Sequence, residues 1–264
     1  MADFVFFRIS GRIYGISLYE VICLKLKNLL SLTVILTVFF SFLSALLYVR
    51  ENAVRGVNNS SLNVTVVIDA GHGGVDPGSV SADGLLEKDV NLDIALKLNE
   101  ILTEKGVSTR LVRDTDTDIS DPECSSVREK KVSDIHNRFA LVNETPGSVL
   151  VSIHQNFYEE TKYSGTQVFY SANNDESRLL AQCIQSAVVA GLQPDNTRQI
   201  KAAGDSIYLL YRAERPSVMV ECGFLSNPEE SKKLADSEYR QSMAHYIADG
   251  IMNYLGGNIN GAEE

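Results

Sequence analysis

The chain has 264 residues, of which 44% are hydrophobic, and a formal net charge of −10. This length and composition allow one domain with a well-filled core plus an appendage. The negative charge argues against nucleic acid or an anionic membrane surface as the main partner. The four cysteines show no paired spacing, which argues against a disulfide framework and a cysteine-based zinc site.

The amino-terminal part contains a candidate membrane anchor. Residues 1–28 mix aromatic, basic and apolar side chains without a clear period and receive no assignment. Leu29 to Val49 is uncharged, and at roughly 1.5 Å rise per residue it would span the roughly 30 Å hydrocarbon core. The run exceeds the apolar stretch of a cleaved signal, so we predict an uncleaved signal anchor, with a cleaved signal as the alternative. Polar residues 50–61 would form a linker.

A glycine-rich loop follows the first strand of the folded domain. Val64 to Ile68 is a nearly unbroken β-branched run, typical of a buried strand of a parallel sheet. Gly71, Gly73 and Gly74 then surround His72, which permits a sharp turn and leaves one imidazole projecting. Such a loop is suited to presenting a ligand.

Strand and helix patterns alternate from there to the end of the domain. After the first helix, which begins near Glu87, the predicted elements are a strand at Ser108–Arg113, a helix at Val127–Val142, strands at Val149–His154 and Gly165–Tyr170, a helix at Asp175–Ala190, strands at Ile207–Tyr211 and Ser217–Glu221, and a helix at Tyr239–Tyr254. The alternation predicts an α/β domain over residues 62–257, with a mostly parallel central sheet and helices on both faces. Residues 258–264 would be a tail.

Polar side chains terminate two apolar strands of this predicted sheet. Val149 to Ile153 runs into His154, and Val218 to Val220 runs into Glu221. Ligands bind beyond the carboxyl ends of strands in open α/β sheets, so His154 and Glu221 would share one crevice with His72. Glu87 begins the next helix within reach of that crevice, although a carboxylate there equally suits the helix dipole.

Two histidines and a glutamate form a catalytic zinc site of the three-ligand kind, in which the fourth position is left for water. A second carboxylate would take the proton of that water and pass it to the leaving nitrogen. The proximity of Glu87 to His72 in the sequence favours Glu87 as the ligand and Glu221 as the base.

Other candidate residues are weaker. His136 and His245 fall within helical patterns and are interpreted as ordinary helix residues. A serine hydrolase would need a G-x-S-x-G turn, which is lacking, and Cys222 has no marked histidine partner. The acidic stretch Asp114 to Asp121 lacks the glycine and terminal glutamate of an EF-hand and is predicted to be a solvated loop.

Four ordered motifs resemble a known family: VVIDAGHGGVDPGS, GLLEKDVNL, SIHQN and RPSVMVECGFLSNPEE. Together they resemble the zinc-dependent N-acetylmuramoyl-L-alanine amidases of the Amidase_3 type, over about Val64 to Gly256. The resemblance implies one zinc ion bound by His72, Glu87 and His154, with Glu221 as the catalytic base. It also implies peptidoglycan as the substrate, cut between the lactyl group of N-acetylmuramic acid and L-alanine.

The segment Val127 to Arg138 further resembles the sporulation-specific cortex amidases, which prepare muramic-δ-lactam in endospores. Gln155 and Phe157 depart from the alanines that many relatives carry after the second histidine, which bears on substrate contacts. The resemblance leaves two alternatives, a zinc peptidase acting on another amide of the stem peptide and a non-catalytic wall-binding protein.

The sequence also supports expectations about how the enzyme is restrained and where it is located. The stretches Gln155 to Ser164 and Ala190 to Ile207 have no room for the blocking helix or the wall-binding modules that some similar amidases carry. Restraint is therefore expected from outside the domain, through timing of expression, membrane tethering, incomplete metal occupancy or an accessory protein. The anchor implies an extracytoplasmic catalytic domain, which in a spore former would occupy the space between the forespore membranes.

Overall fold

The computed structural model describes residues 4–9, 12–17 and 64–260, together with individual helical residues between 23 and 44. The chain divides into two compact units, residues 1–60 and 61–264. In the first unit, β1 (Phe4–Ile9) pairs antiparallel with β2 (Arg12–Ser17). Residues 1–28 received no predicted element, so this antiparallel strand pair is additional to the predicted fold.

The structure describes only a few residues of the candidate membrane anchor. Most of the run from Leu29 to Val49 lies outside the described residues. Within the described part of the chain, no helix combines the length and the apolar character needed to cross a membrane. The anchor therefore stays a prediction.

The second unit is built on one six-stranded sheet. Its strands are β3 (Thr65–Ala70), β4 (Ser108–Leu111), β5 (Ser148–Asn156), β6 (Gln167–Tyr170), β7 (Lys201–Ala202) and β8 (Ser217–Phe224). They lie in the order β4-β3-β5-β8-β6-β7. Strands β4, β3, β5 and β8 are mutually parallel, whereas β6 runs antiparallel to β8. The predicted α/β class is confirmed, and the sheet is mixed.

Six helices of the described region cover both faces of this sheet. They are α1 (Glu87–Glu104), α2 (Val127–Glu144), α3 (Asp175–Gly191), α4 (Tyr208–Arg212), α5 (Pro228–Ala235) and α6 (Ser237–Asn260). Helices α1, α3, α5 and α6 bury one face of the sheet, including Val66 and Ile68. Helices α2 and α4 bury the other face through Val67, Leu150 and Met219. Successive strand residues alternate between the two cores.

One predicted element has the wrong type. Ile207 to Tyr211 was predicted to be a strand, but the structure has the short helix α4 there. Leu209 and Leu210 are adjacent and both buried, because α4 lies flat against the sheet beside α2. A short apolar run does not reveal its period, so strand and helix cannot be distinguished from the sequence alone.

Two strands extend further than predicted. β5 continues past His154 to Asn156, and β8 continues past Glu221 to Phe224, with an irregular register after His154. Both side chains therefore project from within strands. Residues in β7 and α5 had not been predicted as regular elements, because β7 has only two residues and α5 is short and mostly polar.

A capping box fixes the start of α2. The Ser126 hydroxyl accepts a hydrogen bond from the Glu129 backbone N–H at 3.2 Å, and the Glu129 carboxylate accepts one from the Ser126 N–H at 2.9 Å. Two backbone N–H groups at the start of the helix, which have no partner within the helix, are thereby satisfied by side chains. The capping box therefore defines the residue at which α2 begins.

Candidate metal centre

His72 lies on a tight turn at the carboxyl end of β3. Its φ is 63°, a left-handed conformation that is unusual for a residue other than glycine, and Gly73 and Gly74 also have positive φ. Gly73 and Asp76 exchange two backbone hydrogen bonds of 3.0 Å, which close the turn. The imidazole Nδ1 lies 2.8 Å from Asp76 Oδ2, which leaves Nε2 directed at Glu87.

Glu87 begins α1 and is almost fully buried, with 2% of its surface exposed. Its Oε2 accepts a hydrogen bond from the Ser79 backbone N–H at 2.8 Å, and its Oε1 accepts one from the Gln155 N–H at 3.1 Å. These backbone donors hold the carboxylate in place. Oε1 lies 3.2 Å from His72 Nε2 and 3.0 Å from His154 Nδ1.

His154 projects from β5 over the backbone of Gly71. A Cβ atom built at residue 71 would lie 2.2 Å from His154 Nε2, so only glycine leaves room for this ring. The His154 and His72 rings meet edge to face with centroids 5.0 Å apart. One nitrogen of each ring and one Glu87 oxygen all lie within 4.8 Å of one another.

This donor set fits a metal cation. Two imidazoles and one carboxylate are the ligands of a catalytic zinc site that keeps an open position. Burial by itself would raise the pKa of Glu87, but its hydrogen bonds with the two histidines lower the pKa well below the usual value. The carboxylate is therefore ionised, as a metal ligand must be.

Glu221 stands beside this cluster on the neighbouring strand. It pairs in register with His154 across β5 and β8, and both side chains point to the face covered by α2 and α4. Its Oε2 is buried, and among the described residues it has no hydrogen-bond partner. Burial raises the pKa of Glu221 to about 7, with a further contribution from the charge of Glu87. A carboxylate with this pKa is suited to accepting and returning a proton.

Two buried arginines hold the backbone of the ligand loop. Arg138 donates to the backbone oxygen of His72 at 2.7 Å and forms an ion pair with Asp69. Arg113 donates to the backbone oxygens of Ala70 and Gly71 at 2.8 and 3.1 Å. The two arginines thus help to satisfy the carbonyl oxygens at the strand end, where the Gly71 oxygen also accepts a hydrogen bond from Asn91 Nδ2 at 3.1 Å.

Neither Arg113 nor Arg138 was among the site residues predicted from the sequence. A signal for Arg138 exists, because it falls on the apolar stripe of α2, three residues after Ile135 and four before Val142. A charged residue on such a stripe requires a buried partner. Which partner it contacts depends on the tertiary fold.

The weaker candidates do not belong to the three-residue cluster. His136 and His245 are exposed residues of α2 and α6, as predicted. Cys222 is fully buried, and burial raises the pKa of its thiol far above the usual range, so it is a poor nucleophile. The acidic stretch from Asp114 to Asp121 is a loop, and its Asp116 accepts from the Gly74 N–H at 2.9 Å.

A cleft of about 300 Å³ opens beside the cluster. It is lined by both histidines and Asp76 on one side and by residues of α2 and α4, among them Lys131 and Tyr208, on the other. A substrate placed in this cleft would lie next to both imidazoles. The cluster is thus accessible to an extended ligand.

Comparisons with known proteins identify relatives of this chain. The N-acetylmuramoyl-L-alanine amidase family model matches residues 66–253. The germination-specific N-acetylmuramoyl-L-alanine amidase of Bacillus subtilis is 34% identical over 190 residues, which cover 72% of this chain and 79% of that protein.

Two solved structures have the same fold. The CwlD amidase of Clostridioides difficile, solved in complex with the GerS lipoprotein, matches with a TM-score of 0.70 and 39% identity, covering 73% of this chain and 98% of that one. The amidase AmiC2 of Nostoc punctiforme matches with a TM-score of 0.62 and 31% identity, covering 75% of this chain and 99% of that one.

Proposed function

Because the chain belongs to the N-acetylmuramoyl-L-alanine amidase family, we propose that it is a zinc-dependent amidase of peptidoglycan in which His72, Glu87 and His154 hold one zinc ion and Glu221 is the catalytic base. One observation carries the proposal. Three ligand atoms lie within 4.8 Å of one another, and a fourth side chain next to them keeps a buried oxygen without a partner in the described region.

In the proposed reaction, three side chains would hold the zinc ion and Glu221 would transfer the proton. A zinc ion bound there would activate water and polarise the amide carbonyl. Glu221 takes a proton from the attacking water, and the water oxygen bonds to the lactyl carbonyl carbon. The carbon–nitrogen bond then breaks, and Glu221 passes its proton to the nitrogen of L-alanine. The products are a free lactyl carboxylate and a free stem-peptide amine.

We further propose a role in the maturation of the spore cortex, where removal of the peptide precedes muramic-δ-lactam formation. The support is the similarity to a germination-specific amidase and to CwlD, together with the Val127–Arg138 segment. Analysis of spore peptidoglycan tests this role. Spores in which Glu221→Gln replaces the native enzyme should lack the lactam, and normal lactam content would contradict the role.

Location and partners are part of the same proposal. The run from Leu29 to Val49 would hold the catalytic domain outside the cytoplasm, where its substrate lies. The CwlD amidase was solved together with a lipoprotein, GerS. By analogy, we propose that an accessory protein restrains or assists this enzyme. Nucleic acid is not a proposed partner, given the net charge of −10.

Digestion of purified peptidoglycan tests the reaction itself. The zinc-loaded protein should release peptides that begin with L-alanine and should leave unsubstituted lactyl groups on the glycan. The chelated protein and Glu221→Gln should release neither. New amino termini at any other residue of the stem peptide would identify a peptidase, and binding without cleavage would identify a wall-binding protein.

A further inference from the structure

An ion pair outside the metal cluster contacts one of its histidines. Asp76 Oδ2 lies 2.8 Å from His72 Nδ1, and Asp76 Oδ1 lies 2.7 Å from Lys131 Nζ. Oδ1 also accepts a hydrogen bond from the Gly78 backbone N–H at 3.2 Å. Each oxygen of this carboxylate therefore has a separate task, one toward the histidine and one toward α2.

The contact to Nδ1 decides which nitrogen of His72 is available for a metal. A carboxylate beside Nδ1 favours a proton on that nitrogen, so Nε2 would be the nitrogen that offers its lone pair to a metal. Nε2 is the atom that faces Glu87, at 3.2 Å. If Asp76 turned away, the ring could rotate or adopt the other tautomer, and the lone pair would no longer be directed at the cluster.

Lys131 and Arg138 contact this loop from the same side of α2. They lie two helical turns apart and so share one face of the helix. Arg138 donates to the backbone oxygen of His72 at 2.7 Å. Lys131 contacts the carboxylate of Asp76, which in turn contacts the imidazole ring of His72. Helix α2 therefore fixes both the main chain and, through Asp76, the side chain of this histidine.

We propose that Lys131 is a positioning residue of the metal centre, which acts by holding Asp76 against His72 Nδ1. This inference rests on the proposed function, because it concerns the ligand role of His72. Lys131 also lines the cleft beside the cluster. A direct contact between Lys131 and substrate is the competing explanation, and it would act on substrate binding instead of metal binding.

Metal affinity in the absence of substrate distinguishes the two explanations. The full-length chain, purified in detergent and stripped of metal, is titrated with Zn²⁺ against a chromophoric chelator. Loss of an outer-shell partner typically weakens metal binding by about 10- to 100-fold. We expect Asp76→Ala to fall within this range, Lys131→Met to weaken Zn²⁺ binding by about tenfold, and Lys131→Arg to stay close to the wild-type affinity.

A matched control and a double variant sharpen the test. Lys97 forms a 2.7 Å ion pair with Asp93 elsewhere on the surface, so Lys97→Met should leave Zn²⁺ affinity unchanged. Because Lys131 acts through Asp76, the double variant Asp76→Ala/Lys131→Met should bind Zn²⁺ no more weakly than Asp76→Ala alone. Urea unfolding of each variant confirms that the fold is retained.

The absorption spectrum of bound Co²⁺ provides a readout that does not depend on activity. A changed ligand-field spectrum is expected for Lys131→Met and for Asp76→Ala, and an unchanged one for Lys97→Met. Wild-type Zn²⁺ affinity in Lys131→Met would overturn the inference, and so would a double variant in which the two losses of Zn²⁺ affinity add fully. A raised KM with normal Zn²⁺ affinity would assign Lys131 to substrate binding. A wild-type chain that bound no Zn²⁺ would instead contradict the proposed function.

Discussion

His154 and Glu221 are direct neighbours across the parallel pair β5–β8, yet their side chains have different surroundings. His154 contacts Glu87 at 3.0 Å and belongs to the three-residue cluster. Glu221 keeps Oε2 buried and, within the described residues, without a hydrogen-bond partner. This asymmetry supports the proposed roles, metal binding for His154 and proton transfer for Glu221.

The first prediction concerns the two glutamates. Glu221→Gln should retain Zn²⁺ and lower kcat by about 10²- to 10⁴-fold, because the base is lost while the ligands remain. Glu87→Ala should lose Zn²⁺ itself. Metal analysis after dialysis, combined with peptidoglycan digestion, measures both effects. Equal Zn²⁺ loss in the two variants would reverse the assignment.

A second prediction follows from the pKa of Glu221. Burial raises this pKa to about 7, and a bound cation would lower it. The base must be deprotonated to act, so kcat/KM should be full above the pKa and should fall about tenfold per pH unit below it. With Zn²⁺ saturating, the midpoint should lie at or below about pH 7. Activity that increases as the pH falls would exclude Glu221 as the base.

The third prediction tests the space beneath His154. In Gly71→Ala the new methyl group would overlap the imidazole, because its ideal position lies 2.2 Å from Nε2. The ring must move, and Zn²⁺ affinity should fall by at least about 100-fold, beyond the effect of losing an outer-shell partner. Gly204→Ala, which meets nothing within 4 Å, is the control. A Gly71→Ala variant with normal Zn²⁺ affinity would show that His154 is not a ligand.

Arg138 provides a prediction about stability. Its side chain is 2% exposed and pairs with Asp69, which is equally buried, so Arg138→Met leaves an unpaired buried charge. The free energy of unfolding, measured with urea, should fall by about 3–5 kcal/mol. Lys97→Met removes a more exposed ion pair and should change this free energy by less than about 1 kcal/mol. Similar losses of unfolding free energy in both variants would mean that burial of the Arg138–Asp69 pair does not increase its effect on stability.

The last prediction concerns the amino-terminal segment. Fractionation of cells that make the full-length chain should recover it with the membranes, because the run from Leu29 to Val49 is long enough to cross the bilayer. A chain that begins at residue 56 should be recovered in the soluble fraction. Full-length protein found soluble in the cytoplasm would contradict membrane anchoring.

The parts of the fold that could be predicted from the sequence are those in which a local pattern has one physical meaning. Near-continuous apolar runs at Val149–Ile153 and Val218–Val220 occur in strands that are buried on both faces, and they led to β5 and β8. Ile207 to Tyr211 is just as apolar but lies in a helix, because its neighbours α2 and the sheet determine its conformation.

The support around the cluster could not be predicted in the same way. In the sequence, Asp76 stands out only as part of the motif VVIDAGHGGVDPGS, and Lys131 only as part of a segment that resembles cortex amidases. Their roles depend on a contact between the loop after β3 and helix α2, which no local period encodes. Arg138 and Asp69 illustrate the distance involved, since 69 positions separate the two residues along the chain.

The parallel pairing of β3 with β5 also determines when the site can form during folding. Glu87 and His154 are 67 positions apart, and they meet only after β3 and β5 have paired without any hairpin between them. Such non-local pairing is slow because a long loop must close first. Glu221 arrives later still, on a strand near the carboxyl end of the chain. A nascent or truncated chain that ends before β8 would therefore lack the proposed base, so we expect the ability to cut the wall to appear only once nearly all of the polypeptide has been made and folded.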